Sequence, residues 1–257
     1  METPQRNAHE TGAGARYGMV IDLDRCEGCG ACAVACAVEN NVPPAPERAN
    51  DRNGVAWLRV QRLEAPQDPR AAFLPLMCHQ CGEKTPCASV CPQNAVELDP
   101  ASGIVAQIAV RCLGCRYCMA ACPYHARSFN WWDPDWPGRL TETLNPEVST
   151  RTRGVVEKCS FCSHRLQAAQ DEQAANGACG KPPAYTPACV EACPAQAIVF
   201  GDLDDPGSEA ARLAHAPGSF RLLERLGTGA KVYYRTERDW VRQRAQGGAT
   251  TDGRSHG

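Results

Sequence analysis

Cysteines are the residues in this chain that could do chemistry. The sequence of 257 residues contains 17 cysteines, and all but one fall into four runs that each end in Cys-x3-Cys. Motif three, with Pro123 directly after it, has the spacing C-x2-C-x2-C-x3-C-P that is typical of cubane iron–sulfur ligands. The runs, numbered along the chain, are motif one (Cys26, Cys29, Cys32, Cys36), motif two (Cys78, Cys81, Cys87, Cys91), motif three (Cys112, Cys115, Cys118, Cys122) and motif four (Cys159, Cys162, Cys189, Cys193).

The motifs are expected to exchange their last cysteines. A cubane takes one thiolate per iron corner, and in two-cluster ferredoxins the fourth cysteine of each run binds the other cluster. We therefore predict four [4Fe-4S] clusters in a line, held by four crossed sets of thiols. In the expected order these sets are group A (Cys26, Cys29, Cys32, Cys193), group B (Cys159, Cys162, Cys189, Cys36), group C (Cys78, Cys81, Cys87, Cys122) and group D (Cys112, Cys115, Cys118, Cys91).

Other uses of cysteine fit the spacing less well. Structural zinc needs two separated pairs of ligands rather than four cysteines within a short run. A disulfide framework is typical of small secreted chains with an even cysteine count, and the count here is odd. Cys179 lies in the long gap of motif four and has no ligand role in this scheme; a free thiol and an alternative ligand during assembly both remain open.

Composition and charge exclude several classes of function. The formal net charge of −2 gives no sign of a nucleic-acid-binding surface. No stretch approaches the roughly 18 apolar residues that cross a bilayer, and the N-terminus has no signal pattern. We expect membrane association only through a partner, on the cytoplasmic side by default, with the periplasmic side possible if a partner carries the signal. No acid–base pair or nucleophile constellation stands out, so we expect electron transfer without catalysis.

The fold class is predicted to be α+β, with tandem two-cluster ferredoxin-like lobes, many loops and long connectors. We expect a disordered tail at 1–15, a double ferredoxin-like domain at 16–203, and a C-terminal extension at 204–257 whose end is disordered. Within the domain, motifs two and three form an inner lobe at about 73–132, nested between motifs one and four. Predicted strands and helices are Tyr17–Leu23, Cys32–Val38, Trp57–Leu63, a hairpin of Ala95–Leu98 with Ile104–Ala106, His164–Ala175, Ile198–Phe200 and Lys231–Tyr234.

Five segments together resemble one protein family over roughly residues 16–242. They are Cys-Glu-Gly-Cys-Gly-Ala-Cys (26–32), Cys-His-Gln-Cys (78–81), Cys-Leu-Gly-Cys-Arg-Tyr-Cys-Met-Ala-Ala-Cys-Pro-Tyr (112–124), Glu-Lys-Cys-Ser-Phe-Cys (157–162) and Pro-Ala-Cys-Val-Glu-Ala-Cys-Pro (187–194). This order is similar to the four-cluster electron-transfer (B) subunit of complex iron–sulfur molybdoenzymes, such as dimethyl sulfoxide, polysulfide, thiosulfate and tetrathionate reductases.

The resemblance implies two partners. One is a molybdopterin catalytic subunit, and the other is an integral membrane subunit that reacts with a quinone. The chain would carry electrons between them in anaerobic or sulfur respiration. Two alternatives stay open: the ferredoxin-like subunit of a hydrogenase or formate dehydrogenase, and a free polyferredoxin.

Several residues near the motifs are candidates for a supporting role. Arg116 would raise the potential of a nearby cluster, or with Tyr117 simply fill a loop position. His79 could replace a ligand in principle. The segment of Trp131, Trp132 and Trp136 would either line a partner interface or cover its own lobe. Three glycines would let backbone amides approach the sulfurs, or simply allow the turns to form; these are Gly28, Gly30 and Gly114.

Overall fold

The computed structural model describes residues 14–45, 50, 54–178, 180 and 183–247. Most of the predicted N-terminal tail, the end of the C-terminal extension and Cys179 lie outside these ranges. The described chain is already packed near its start, because Ala15 is buried and its N–H donates to the Ala101 carbonyl at 2.8 Å.

The described residues form ten short strands and seven α-helices, joined by loops. The strands are β1 (Tyr17–Asp22), β2 (Arg59–Ala65), β3 (Asp68–Leu76), β4 (Val96–Leu98), β5 (Val105–Gln107), β6 (Ser128–Phe129), β7 (Val156–Glu157), β8 (Ile198–Asp202), β9 (Ser219–Phe220) and β10 (Val232–Arg235). The α-helices are α1 (Ala31–Glu39), α2 (Pro86–Ser89), α3 (Tyr117–Ala121), α4 (Ser163–Ala175), α5 (Ala188–Glu191), α6 (Glu209–Ala214) and α7 (Asp239–Gln246). Short 3-10 helices lie at Ala109–Arg111, Gly138–Thr143 and Glu224–Leu226.

A four-stranded sheet in the order β8-β1-β10-β9 forms the centre of the fold. β1 is nearly all apolar and almost completely buried, as expected for a strand covered on both faces. It runs antiparallel to β8, with Ile21 opposite Ile198, and parallel to β10, with Met19 opposite Val232. The predicted strands at the start of the chain, after motif four and near residue 232 therefore all meet in one sheet.

Three two-stranded ribbons surround this sheet. The predicted hairpin after motif two is confirmed: β4 pairs antiparallel with β5, and its turn includes Gly103 at φ +68°. β2 begins two residues later than predicted and pairs with β3, a strand that the sequence did not indicate. Pro69 and Pro75 interrupt the pattern of β3, but a ribbon strand has a free edge where a missing N–H is tolerated.

The inner lobe has a small apolar core of its own. Val96 and Val105 of the hairpin pack there against Val156 of β7 and against the buried Cys87 and Cys118. The lobe is therefore not closed within its predicted limits of about 73–132, since β7 comes from further along the chain.

The predicted C-terminal extension is part of the central sheet. β10 lies between β1 and β9, so residues beyond 203 supply two of the four strands. Tyr234 of β10 is fully buried, and its hydroxyl donates to the Pro75 carbonyl at 2.8 Å. In the ranges described, no helix combines the length and apolar character needed to span a membrane.

Substituting Gly18 of β1 should destabilise the central sheet. A Cβ atom at this position would lie 2.3 Å from Leu203 Cδ1 and 2.7 Å from the Lys231 carbonyl oxygen. Because backbone cannot move away freely, Gly18→Ala should cost about 1–3 kcal/mol. The measurement is the thermal midpoint of the anaerobic, cofactor-loaded protein. Gly82→Ala is the matched control, because its nearest atom would be at 3.6 Å; equal midpoints for the two variants would contradict this packing.

Candidate iron–sulfur cluster sites

The third and fourth cysteines of motif one lie on one face of α1. Both Cys32 and Cys36 are buried, and they are separated by four residues, which is about 6 Å along a helix axis. The helix begins at Ala31, after Gly30 in the left-handed conformation at φ +77°. α3 and α4 also begin after a left-handed residue, Arg116 at φ +63° and Cys162 at φ +53°. Helix α1 therefore places the thiols of Cys32 and Cys36 at two different positions along its axis.

Groups A and B are brought together from distant parts of the chain. The pKa of Cys32 is raised to about 11, mainly by burial and also by the charges of Cys26, Cys193 and Cys29. The pKa of Cys36 lies well above its usual value, first because of burial and then because of the charges of three other cysteines. Those three are Cys159, Cys189 and Cys162, the remaining members of group B.

Groups C and D each surround a cavity. Cys78, Cys81, Cys87 and Cys122 line the first, together with His79, Tyr124 and Arg127. The second is lined by Cys91, Cys112, Cys115 and Cys118, together with Arg116. The empty space at these sites, including the part open to solvent, is about 320 and 310 Å³. The thiols of each predicted group thus lie together, and their role as ligands stays a prediction.

The thiols of these groups do not converge on one metal ion. Zinc holds thiolates at about 2.3 Å, and among the described residues no three Cys, His, Asp or Glu side chains converge closely enough to hold one ion. Four thiols spread around a wider space is the arrangement that a cubane requires.

The four groups are neighbours in a row, which agrees with the predicted sequence of group A, group B and then the two inner groups. Groups A and B are adjacent, because the charge of Cys32 in group A contributes to the raised pKa of Cys189 in group B. Burial and the charges of Cys159 and Cys162 have larger effects on that pKa. Groups B and C meet where the charge of Cys78 contributes to the raised pKa of Cys159, which burial brings to about 12. Groups C and D meet where Cys87 contributes to the raised pKa of Cys118, again after burial. The order along the molecule is therefore A, B, C and D.

Backbone amides donate to several of the sulfurs. The N–H groups of Ala95 and Ala197 donate to Cys91 and Cys193 at 3.2 and 3.3 Å, and both follow a left-handed residue at φ +47°. The chain after motif two therefore has the same local geometry as the chain after motif four. The N–H of Gly28 hydrogen-bonds Cys26 and lowers its pKa, although burial, the larger effect, raises it. A side chain at Gly28 would overlap the Phe73 ring, with a Cβ 2.3 Å from it.

Asn40 is a residue near the sulfurs that sequence reasoning missed. It is buried, and its amide nitrogen lies 3.8 Å from the sulfurs of both Cys36 and Cys162 in group B. Its position directly after α1 was a possible signal, because it follows the fourth cysteine by four residues.

The supporting residues expected near the motifs have well-defined places. The Arg116 guanidinium lies over the Trp131 ring, 4.5 Å from its centroid, and also over Phe129. Trp131 therefore covers its own lobe, while the neighbouring Trp132 is exposed. His79 is buried and stacks on Tyr124, with ring centroids 3.9 Å apart.

Unpaired polar atoms at group C fit a cluster in this cavity. Both ring nitrogens of His79 and Nη2 of Arg127 are buried without a hydrogen-bond partner. Buried donors are almost always paired, and both residues line the cavity of group C. Burial lowers the pKa of His79 to about 3, and a neutral ring has one N–H to donate. Sulfide and thiolate sulfurs in the cavity would accept from that N–H and from Nη2 of Arg127.

Comparison with known proteins identifies the family. Two family models, each described as a 4Fe-4S dicluster domain, match residues 25–96 and 69–136. The iron–sulfur cluster-binding subunit of menaquinone reductase from Nitratidesulfovibrio vulgaris is 50% identical over 236 residues, which cover 89% of this chain and 91% of that protein. The chain belongs to the iron–sulfur electron-transfer (B) subunits of reductase complexes of the molybdoenzyme type.

More distant members of this family share most of the chain. The arsenate respiratory reductase iron–sulfur subunit ArrB from Shewanella sp. (strain ANA-3) is 34% identical over 249 residues, covering 85% of this chain and 95% of that protein. A selenate reductase subunit from Mesobacillus selenatarsenatis is 36% identical over 233 residues, covering 85% of this chain and 71% of that protein. Membership confirms the predicted iron–sulfur electron-transfer role, and the mixed helices and small sheets agree with the predicted α+β class.

Replacing Cys36 should remove the cluster of group B rather than that of group A. Although Cys36 belongs to motif one, its neighbours are the thiols of motif four. Cys36→Ser should lower the iron content from about 16 to about 12 per chain, one cubane of four irons. Its EPR spectrum after reduction should match that of Cys162→Ser. A spectrum matching Cys29→Ser would contradict the crossed assignment, and Cys179→Ser serves as the control that should keep all the iron.

Proposed function

We propose that this chain carries electrons through four [4Fe-4S] clusters, held by groups A to D, between a molybdopterin catalytic subunit and a quinone-reactive membrane subunit. The observation that carries the proposal is the unbroken succession of the four thiol groups. Cubanes supply one-electron transfer when bound. The chain itself fixes their order, excludes water from the middle of the line and leaves the two ends accessible.

The contrast between ends and middle supports transfer from one partner to another. Cys29 of group A and Cys115 of group D are exposed, whereas all four cysteines of group B are buried. In group C only Cys122 is partly accessible. Electrons would therefore enter and leave at groups A and D.

Apolar side chains surround both accessible ends. Near group D, Val110, Leu113 and Tyr117 are exposed, with Val110 at 96%. Near group A, Val34 and Val38 of α1 are exposed to more than half. Exposed apolar patches of this kind are typical of protein interfaces, and two patches at opposite ends fit two different partners.

The relatives support a complex that exchanges electrons with quinones. One relative is named as part of a menaquinone reductase, and others are named as parts of arsenate and selenate reductases. We propose by analogy that the chain is held at a membrane by its quinone-reactive partner. The alternatives of a hydrogenase or formate dehydrogenase subunit, and of a free polyferredoxin, predict other bound partners.

Anaerobic purification of the native complex tests the proposal. We expect the chain to copurify with a molybdopterin subunit and an integral membrane subunit, and we expect quinol to reduce the clusters in the complex but not in the isolated chain. Metal analysis and identification of the bound subunits are the measurements. Bound nickel, or a chain that carries about 16 irons and no partner, would contradict the proposed assembly.

A charge placed at the group D end should block transfer to one partner. Val110→Asp puts a carboxylate on the proposed contact patch, where it would be desolvated without a partner. We expect a fall of at least tenfold in the rate of electron exchange with one of the two subunits, measured by stopped-flow on the complex. Reduction of the isolated chain by a soluble dye should be unchanged. Leu140→Asp, on an exposed 3-10 helix, is the control. An equal fall in the rate of electron exchange in that variant would contradict the proposal that the group D patch contacts a partner.

A further inference from the structure

Three buried cations surround group C. Arg127, Lys158 and Lys231 have exposed fractions of 6%, 2% and 1%. Arg127 lines the cavity that the thiols of group C surround. Lys158 donates to the carbonyl of Val105, another residue of the cavity wall, and to that of Cys159 at 3.0 Å. The ammonium of Lys231 lies beside the loop after Cys81, 3.9 Å from where a Cβ on Gly82 would be.

None of these cations has an acidic partner in the described part of the chain. Arg127 donates to the Gln107 side-chain oxygen at 2.7 Å, and Lys231 donates to the Gly103 carbonyl. Both acceptors are neutral. The carboxylate closest in sequence to Lys158 is Glu157, which pairs with Arg151 at 2.8 Å.

Unpaired buried charges are costly, so a compensating negative charge is expected nearby. The thiols of group C are the candidates. Burial acts to lower the pKa of Arg127, but the charges of Cys87, Cys118 and Cys78 raise it above its usual value. Burial lowers the pKa of Lys231 to about 8, and here the charges of Cys78 and Cys81 act in the opposite direction. A cubane with four thiolates carries a charge of about −2.

The other three groups lack such a set among the described residues. Near group D, Arg116 is exposed and stacks on Trp131. Near group B, Lys158 also acts on Cys159, and Arg165 is only partly buried and pairs with Glu39 and Glu191. Near group A, Arg25 is exposed. Water screens exposed cations, and group C is the group to which all three buried cations lie close.

We propose that Arg127, Lys158 and Lys231 form a cationic shell that gives the cluster of group C the highest reduction potential in the line. This inference rests on the proposed function. Reduction adds one electron and no proton, so the cluster becomes more negative by one charge. Fixed positive charges nearby stabilise that reduced state. Electrons entering from either end therefore collect at group C, the third position of the line.

The test is a redox titration of the full-length, cluster-loaded protein followed by EPR. We expect Arg127→Gln, Lys158→Gln and Lys231→Gln each to weaken reduction of the highest-potential cluster about tenfold, a downward shift of about 59 mV for one electron. Arg127→Gln and Lys158→Gln should each also lower the potential of a second cluster, since Arg127 acts on Cys118 of group D and Lys158 on Cys159 of group B. Cys81→Ser, which changes a ligand of group C alone, should alter the same highest-potential signal.

Two matched variants separate charge from packing. Lys84→Gln removes an exposed cation from the loop between Cys81 and Cys87 and should leave the potential unchanged. Arg127→Lys keeps the charge and should retain both the cluster and its potential. If Arg127→Gln loses the cluster while Arg127→Lys keeps it, the charge is required, in agreement with the proposal.

Three results would overturn the assignment. They are unchanged highest potentials in all three Gln variants, an equal shift in Lys84→Gln, and loss of the cluster in both Arg127 variants. A wild-type protein with no cubane signals would instead contradict the proposed function itself, so the two failures are distinguishable.

Discussion

The fold depends on the division of each Cys-x3-Cys interval between two groups of thiols. Cys32 lies with Cys26 and Cys29 of its own motif, whereas Cys36, four residues later, lies with the thiols of motif four. In the proposed assignment, motif one is therefore completed by motif four and motif two by motif three. The central sheet, in which β1 lies directly beside β8, holds motifs one and four in contact.

The interior around these sites is unusual for a small protein. Buried thiols with raised pKa values, an unpaired neutral histidine and three cations without acidic partners lie within the core. As a purely protein core this arrangement would be unfavourable, because buried polar and charged groups need partners. Anionic clusters would satisfy the thiols, the histidine and the cations together. Folding and cofactor binding are then closely linked.

Local patterns predicted much of this structure, and long-range features did not. The cysteine spacing is read directly from the sequence and indicates the thiol groups. The helix at Cys32–Val38 and the hairpin after motif two could be predicted from neighbouring residues. β3 was missed because its two prolines argue against a strand. The position of β10 beside β1 depends on contacts across more than 200 residues. Arg127, Lys158 and Lys231 have no sequence pattern, because only the folded chain brings them to group C.

The central claim is that four crossed groups of thiols hold four cubanes in one chain. Iron and acid-labile sulfide analysis with Mössbauer spectroscopy on the anaerobically purified full-length protein tests it most directly. We expect about 16 irons and 16 sulfides per chain, all in [4Fe-4S] signals. Substantially fewer irons in fully loaded protein, or zinc bound in their place, would contradict it.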